Sequence, residues 1–418
     1  MRNFTMRAAL LGATAALALQ AGGAMAQAEQ DYAGGHKPVL EDYTDELGAR
    51  MGGFILRPQA TVSAEYNDNI YYSDGGEEED LLLRVAPEVE LASDWNRHAL
   101  RFNAGVGYGA YGDNEADNFL DAFGQVQGVY DISRISAVRA TLRADRLHEG
   151  RGDVDADNAA LEPVEYTVLS GRIDGRYKPN RIRISPFVEV SHRNYDDASI
   201  VTGIQNNDDR DRIRVGGGVE VGYEFLDGYE AFVRGQADQV TYDDSVDDQG
   251  VERDSVGLAG LAGVRFDLTR IITADLGIGI VSRDYEDPTL ETLTGVTAEA
   301  TATWSVTPLT TLVFSLERDI EETTQNGASG AFATKGEIEV VHSLRRDVLV
   351  SAFINAVDRD FEGGARQDRS VGVGVGAEWA MNRNLTLAGR YEHGDRDSTR
   401  IGEDYKQNLF TIALTTKY

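Results

Sequence analysis

The chain has 418 residues, no cysteine, 70 Asp and Glu against 40 Lys and Arg, and a formal net charge of −30. Without cysteine there are no disulfides, thiolate metal sites or lipoprotein anchor. The negative charge disfavours nucleic acid, whose phosphates need cations. A mean hydropathy of −0.35, with no apolar run of membrane-helix length beyond the N-terminus, excludes helical spans. It does not exclude strands that turn one face to lipid and the other to water.

In chain order, Arg2 and Arg7 precede an apolar run from Ala8 to Ala18, and Ala24-Met25-Ala26 reads as a small-x-small cleavage signal. Residues 1–26 are therefore expected to be a signal peptide and 27–52 a polar periplasmic tail. From residue 53 to 418 period-2 alternation dominates. It predicts strands near 54–66, 80–92, 98–110, 118–130, 135–147, 165–177, 182–195, 211–225, 229–242, 254–268, 271–284, 294–306, 311–320, 331–342, 347–358, 367–380, 385–393 and 405–418. The connections alternate. Tight turns such as Ser93-Asp94-Trp95-Asn96 and Lys178-Pro179-Asn180-Arg181 take turns with long acidic loops at 69–80, 149–163, 196–209, 243–253 and 394–404. This pattern predicts an all-β fold: a transmembrane antiparallel up-and-down β-barrel of about 18 strands, with 16 also possible. The turns and both termini would be periplasmic and the loops extracellular, in the outer membrane of a Gram-negative bacterium. The stretch 319–333 is the least regular and could hide a shorter span. Tyrosines at strand ends, Tyr66, Tyr71, Tyr72, Tyr108, Tyr111, Tyr130, Tyr177, Tyr195, Tyr223, Tyr229, Tyr242, Tyr285 and Tyr391, are expected in the two interfacial girdles.

The alternation divides each strand into two faces. Leu169 and Ile173 fall on one face of the sixth strand, and Val256 and Leu258 on one face of the tenth. The opposite faces supply lumen-lining candidates: Arg139, Arg143, Asp145, Arg172, Asp174, Arg176, Arg214, Glu220, Glu224, Glu230, Arg234, Asp238, Arg265 and Asp267. A lining of both signs holds water and lets polar solutes pass; the same residues could instead be cross-strand ion pairs that brace the wall. At the C-terminus Phe410, Ile412, Leu414, Thr416 and Tyr418 alternate up to the last residue. This is similar to the recognition signal of barrel-assembly machinery, whose usual final residue is Phe.

No metal or cofactor is expected. Asp153-Val154-Asp155-Ala156-Asp157 begins like a calcium loop, but Asn158 and Val164 stand where the turn glycine and the closing carboxylate belong. Gly372-Val373-Gly374-Val375-Gly376 and Gly216-Gly217-Gly218 lie inside alternating strands, not before helices, and are expected to make room for large neighbouring side chains. The six histidines have no ligand spacing, and no Ser–His pair is recognisable, so no enzyme is expected.

Tyr66-Asn67-Asp68-Asn69-Ile70-Tyr71, Asp80, Pro87 and Trp95-Asn96-Arg97-His98 carry a resemblance to a family of proteobacterial outer-membrane proteins, beta-barrel porin family 2. The resemblance implies a barrel associated with exopolysaccharide export, the exit for a polymer delivered by a periplasmic co-export protein. Lipid, lipopolysaccharide and the assembly machinery are the other expected partners. Two alternatives stand beside it: a general diffusion porin or nutrient channel, and a structural or adhesive surface barrel.

Overall fold

The computed structural model describes residues 48–153, 155–156, 160–268 and 271–418. The expected signal peptide and most of the tail lie outside these residues. Eighteen strands of 12 to 16 residues form the wall. They are β1 (Phe54–Asn67), β2 (Asp80–Ser93), β3 (Ala99–Tyr111), β4 (Phe119–Ser133), β5 (Ser136–His148), β6 (Glu165–Tyr177), β7 (Ile182–Tyr195), β8 (Arg212–Leu226) and β9 (Tyr229–Tyr242). They continue with β10 (Ser255–Leu268), β11 (Ile272–Tyr285), β12 (Leu293–Thr307), β13 (Thr310–Glu321), β14 (Gly330–Arg345), β15 (Val348–Glu362), β16 (Gln367–Asn382), β17 (Leu385–Ser398) and β18 (Tyr405–Lys417). Each pairs antiparallel with its sequence neighbours, and β1 closes on β18 from Gln59↔Lys417 to Asn67↔Leu409. Below that seam, Ala49–Met51 pairs with Phe54–Leu56 of β1. No hidden span interrupts 319–333, which is the top of the β13–β14 hairpin and its loop.

Ladder register explains the faces, because directly paired residues share one side of the sheet. Leu142, Leu169, Leu258, Ile278 and Ile280 are each more than half exposed on the outer face. A water-soluble sandwich would bury such residues; a membrane wall presents them to lipid. Trp95, Tyr130, Tyr177, Tyr223, Trp304 and Trp379 ring the turn end on the exterior, with Tyr66, Tyr108 and Phe410 at the loop end. Tyr195, Tyr242 and Tyr285 depart from the girdle expectation. Their parity places them on the inner face, where each is buried. Pro87 lacks an N–H, and the β2–β3 ladder skips it.

Glycines thin the inner wall where aromatic rings need space. A Cβ at Gly374 would stand 2.4 Å from the Phe353 ring, and one at Gly218 2.8 Å from Phe187. The glycine-rich runs are thus part of the wall's packing, as their place in alternating strands implied.

Candidate functional site

The inner face of β7–β12 carries a belt of ion pairs. Glu220 is 3% exposed and accepts from three arginines on neighbouring strands: Arg183, Arg234 (2.6 Å) and Arg265 (3.4 Å). Glu230 receives Arg183 (2.6 Å) and Arg265 (2.9 Å), and Arg265 also reaches Asp275 at 2.5 Å. Arg234 extends to Glu299 at 2.8 Å. Toward the loop end, Asp238 takes Arg214 (3.1 Å) and Arg283 (2.6 Å). Arg172 bridges Asp174 (2.8 Å) and Glu189 (2.6 Å), and Arg143 holds Asp145 at 2.6 Å. Lys178 meets Glu224 at 2.8 Å near the turn end.

Of the sequence candidates, Glu220, Glu230, Arg234 and Arg265 thus meet in one cluster. Arg214–Asp238, Arg172–Asp174 and Arg143–Asp145 form separate pairs. Arg139 lies opposite Asp174 in the ladder. Arg176 and Asp267 are exposed toward the turn end. Arg183, Glu189, Asp275 and Glu299 belong to the belt as well. Period-2 counting along β7, β11 and β12 would have found them.

The loop end is closed by chain that folds inward. The 149–163 loop leaves β5 with Glu149 and Arg210, both buried, in a bidentate pair, and Arg210 stacks 4.0 Å from the Tyr195 ring centroid. Arg151 donates to Asp117 (2.7 Å) and to the Ala160 carbonyl (2.7 Å). Farther in, the Gly152 carbonyl accepts from Arg396 of β17 (3.2 Å). Asp155 accepts from Thr323 at 2.6 Å. Thr323 sits on the 322–329 loop, which rises from strands eight positions farther around the wall. Two inward-folded segments therefore meet across the mouth.

The far segment is pinned as firmly. Arg253 is 3% exposed; it pairs with Asp247 at 2.6 Å and donates to the Thr323 (2.8 Å) and Ala328 (3.1 Å) carbonyls. The Gln325 side-chain oxygen accepts from Arg366 (2.6 Å) and Arg400 (3.3 Å), and Arg366 is itself held by Asp368 at 2.7 Å. The same loops bound a cavity of about 820 Å³ whose lining includes Asp155, Gln205, Gln325, Phe361, Arg366 and Glu403. Among the described residues no group of three His, Asp or Glu side chains is placed to hold a metal ion. Asp153 lies in the inward loop. Burial first, then the nearby Glu149 carboxylate, push its carboxyl up to about 6.

The chain belongs to the family described as "Putative beta-barrel porin 2", whose model matches residues 42–418. Its fold is similar to that of a solved structure titled copper transporter OprC, with 11% identity, a TM-score of 0.50, and coverage of 89% of this chain and 81% of that one. The outer-membrane protein opdK from Pseudomonas aeruginosa aligns with 10% identity and a TM-score of 0.49 over 87% of this chain and 99% of that one. At 11% identity the likeness to the OprC structure is one of fold alone. No curated protein matches the chain.

Proposed function

We propose that this member of the beta-barrel porin 2 family is a gated outer-membrane channel for hydrophilic cargo, and that its sharper role is the exit of exopolysaccharide. The observation that carries the channel reading is the contrast between its two faces. The exterior is a band of exposed aliphatic side chains edged by aromatics, and the interior is lined by paired charges of both signs. Such a lining stays hydrated and offers donors and acceptors to solutes without favouring one charge. In this reading the tight turns and the strand ends at Phe54 and Lys417 lie in the periplasm. The acidic loops face outward, and lipopolysaccharide surrounds the wall. Passage is passive, driven by concentration or by polymer pushed from below.

The exopolysaccharide role is supported by the resemblance between Tyr66 and His98, with a periplasmic co-export protein as the partner. A diffusion or nutrient porin fits the wall equally well. A deletion strain separates the two. Loss of surface polysaccharide with normal small-solute uptake supports export; unchanged polysaccharide with slowed uptake supports the porin. The purified barrel should show conductance steps in planar bilayers in either case.

A further inference from the structure

We propose that the top of the β13–β14 hairpin, residues 319–333, is a hinged gate: it closes the mouth by folding inward and opens it by zipping back onto β12. The proposal rests on the channel reading above.

The hinge is visible in the ladders. β12 and β13 pair from Thr307↔Thr310 up to Ala298↔Arg318 and stop there. Yet β12 continues to Leu293 on its β11 side, and β13 continues to Glu321 on its β14 side. Above Arg318 the wall is split on the β12 side, while β14 stays paired with β15 up to Gly330↔Glu362, so the hairpin crosses behind β12 together with the top of β15. Ile320 and Phe332, directly paired with each other, pack against Val281, Tyr285 and Leu293. The Phe332 ring lies over Gly295, where a Cβ would stand 2.5 Å away.

The parity of the hairpin residues fits a second arrangement. Counting up from Arg318, Ile320 has the same parity as Phe314 and Leu316, and its partner Phe332 that of Ile338, which is exposed on the outer face. Continuing the β12–β13 register beyond Ala298↔Arg318 would set Val296 opposite Ile320 and Gly295 opposite Glu321. Ile320 and Phe332 would then face outward beside Val296, which is already 48% exposed, with Asp360 of β15 next to Phe332. Zipping would also pair the edge of β12 from Leu293 to Thr297. Pairing those N–H and C=O groups favours that state. The folded-in state is favoured by Phe332 over Gly295 and by the Arg253, Asp155 and Gln325 contacts at the tip.

The absence of native cysteine makes a cross-linking test clean. Asp155→Cys with Thr323→Cys should form a disulfide in the purified barrel and abolish conductance until reductant is added. Val296→Cys with Ile320→Cys places one thiol on the outer face and one on the inner face of the present structure. It should nevertheless cross-link and trap a barrel with several-fold higher conductance. Gly295→Phe, which fills the ring's cradle, should give a similar rise with no cross-link. Heat-modifiable migration on gels confirms that each variant has closed its wall. The gate is overturned if folded Val296→Cys/Ile320→Cys barrels resist oxidation, or if they and Gly295→Phe conduct no better than the parent in bilayers where the parent conducts. A 296–320 disulfide in a barrel that never conducts supports the hinge and overturns the channel reading instead.

Discussion

The belt around Glu220 and the network at the mouth use the same chemistry, arginine against carboxylate or carbonyl, but join different things. In the belt, Glu220 and Arg234 are 14 residues apart and Glu220 and Arg265 are 45 apart; both pairs link strands that already share a ladder or flank one. At the mouth, Asp155 and Thr323 are 168 apart, and Gly152 and Arg396 are 244 apart. The belt stiffens a wall that backbone pairing has already built. The mouth network spans the opening, joining loops that rise from distant parts of the wall. Wall contacts should therefore govern stability, and mouth contacts should govern passage.

Replacing residues 150–163 by a short turn should have the largest effect, a several-fold rise in single-channel conductance with the unfolding midpoint in denaturant little changed. An unaltered conductance would mean that the inward loops do not limit flow. Glu220→Ala should do the reverse. It leaves Arg183, Arg234 and Arg265 facing one another and should cost about 3 kcal/mol of unfolding free energy, the low end for breaking a buried pair because the lumen holds water. Its conductance should stay near that of the parent. Arg253→Gln removes the clamp on the Thr323 and Ala328 carbonyls. It also leaves the buried Asp247 carboxylate without its cation, so it should cost about 2 kcal/mol and lengthen open times in bilayer recordings.

The smallest effect should be one of pH. Asp153 faces Glu149, His148 and Arg359, and its carboxyl is raised from 3.8 to about 6. The closed loop therefore holds the proton more tightly than the released loop does. Its stabilisation is absent well above pH 6, grows as pH falls through that value, and is complete below the ordinary carboxylate range. Closed time should lengthen when pH drops from about 7.5 to about 5. Asp153→Asn should flatten that dependence.

The sequence was informative where structure is local. Alternation along Thr167–Tyr177 or Ser255–Asp267 assigns faces because a strand repeats every two residues and lipid enforces one of the two sets. All 18 strands lie where that alternation places them, with ends shifted by up to five residues at β17. Position at a strand end alone does not tell girdle from lumen: Tyr195, Tyr242 and Tyr285 end their strands, but their parity turns them inward. The closure of the mouth was not legible. Nothing near Asp155 indicates Thr323, and nothing near Phe332 indicates that a residue with lipid-facing parity lies over Gly295. Such contacts depend on which points of the wall face each other once the ring is complete.

That completion gives the short strand Ala49–Met51 a meaning of its own. β18 covers β1 only from Gln59 upward. Without the short strand, the bonding edge from Phe54 to Leu56 would be open at the turn end, a template on which a strand from another molecule could dock. By occupying that edge with the chain's own preceding residues, the protein keeps its one non-consecutive seam from becoming a site of polymerisation.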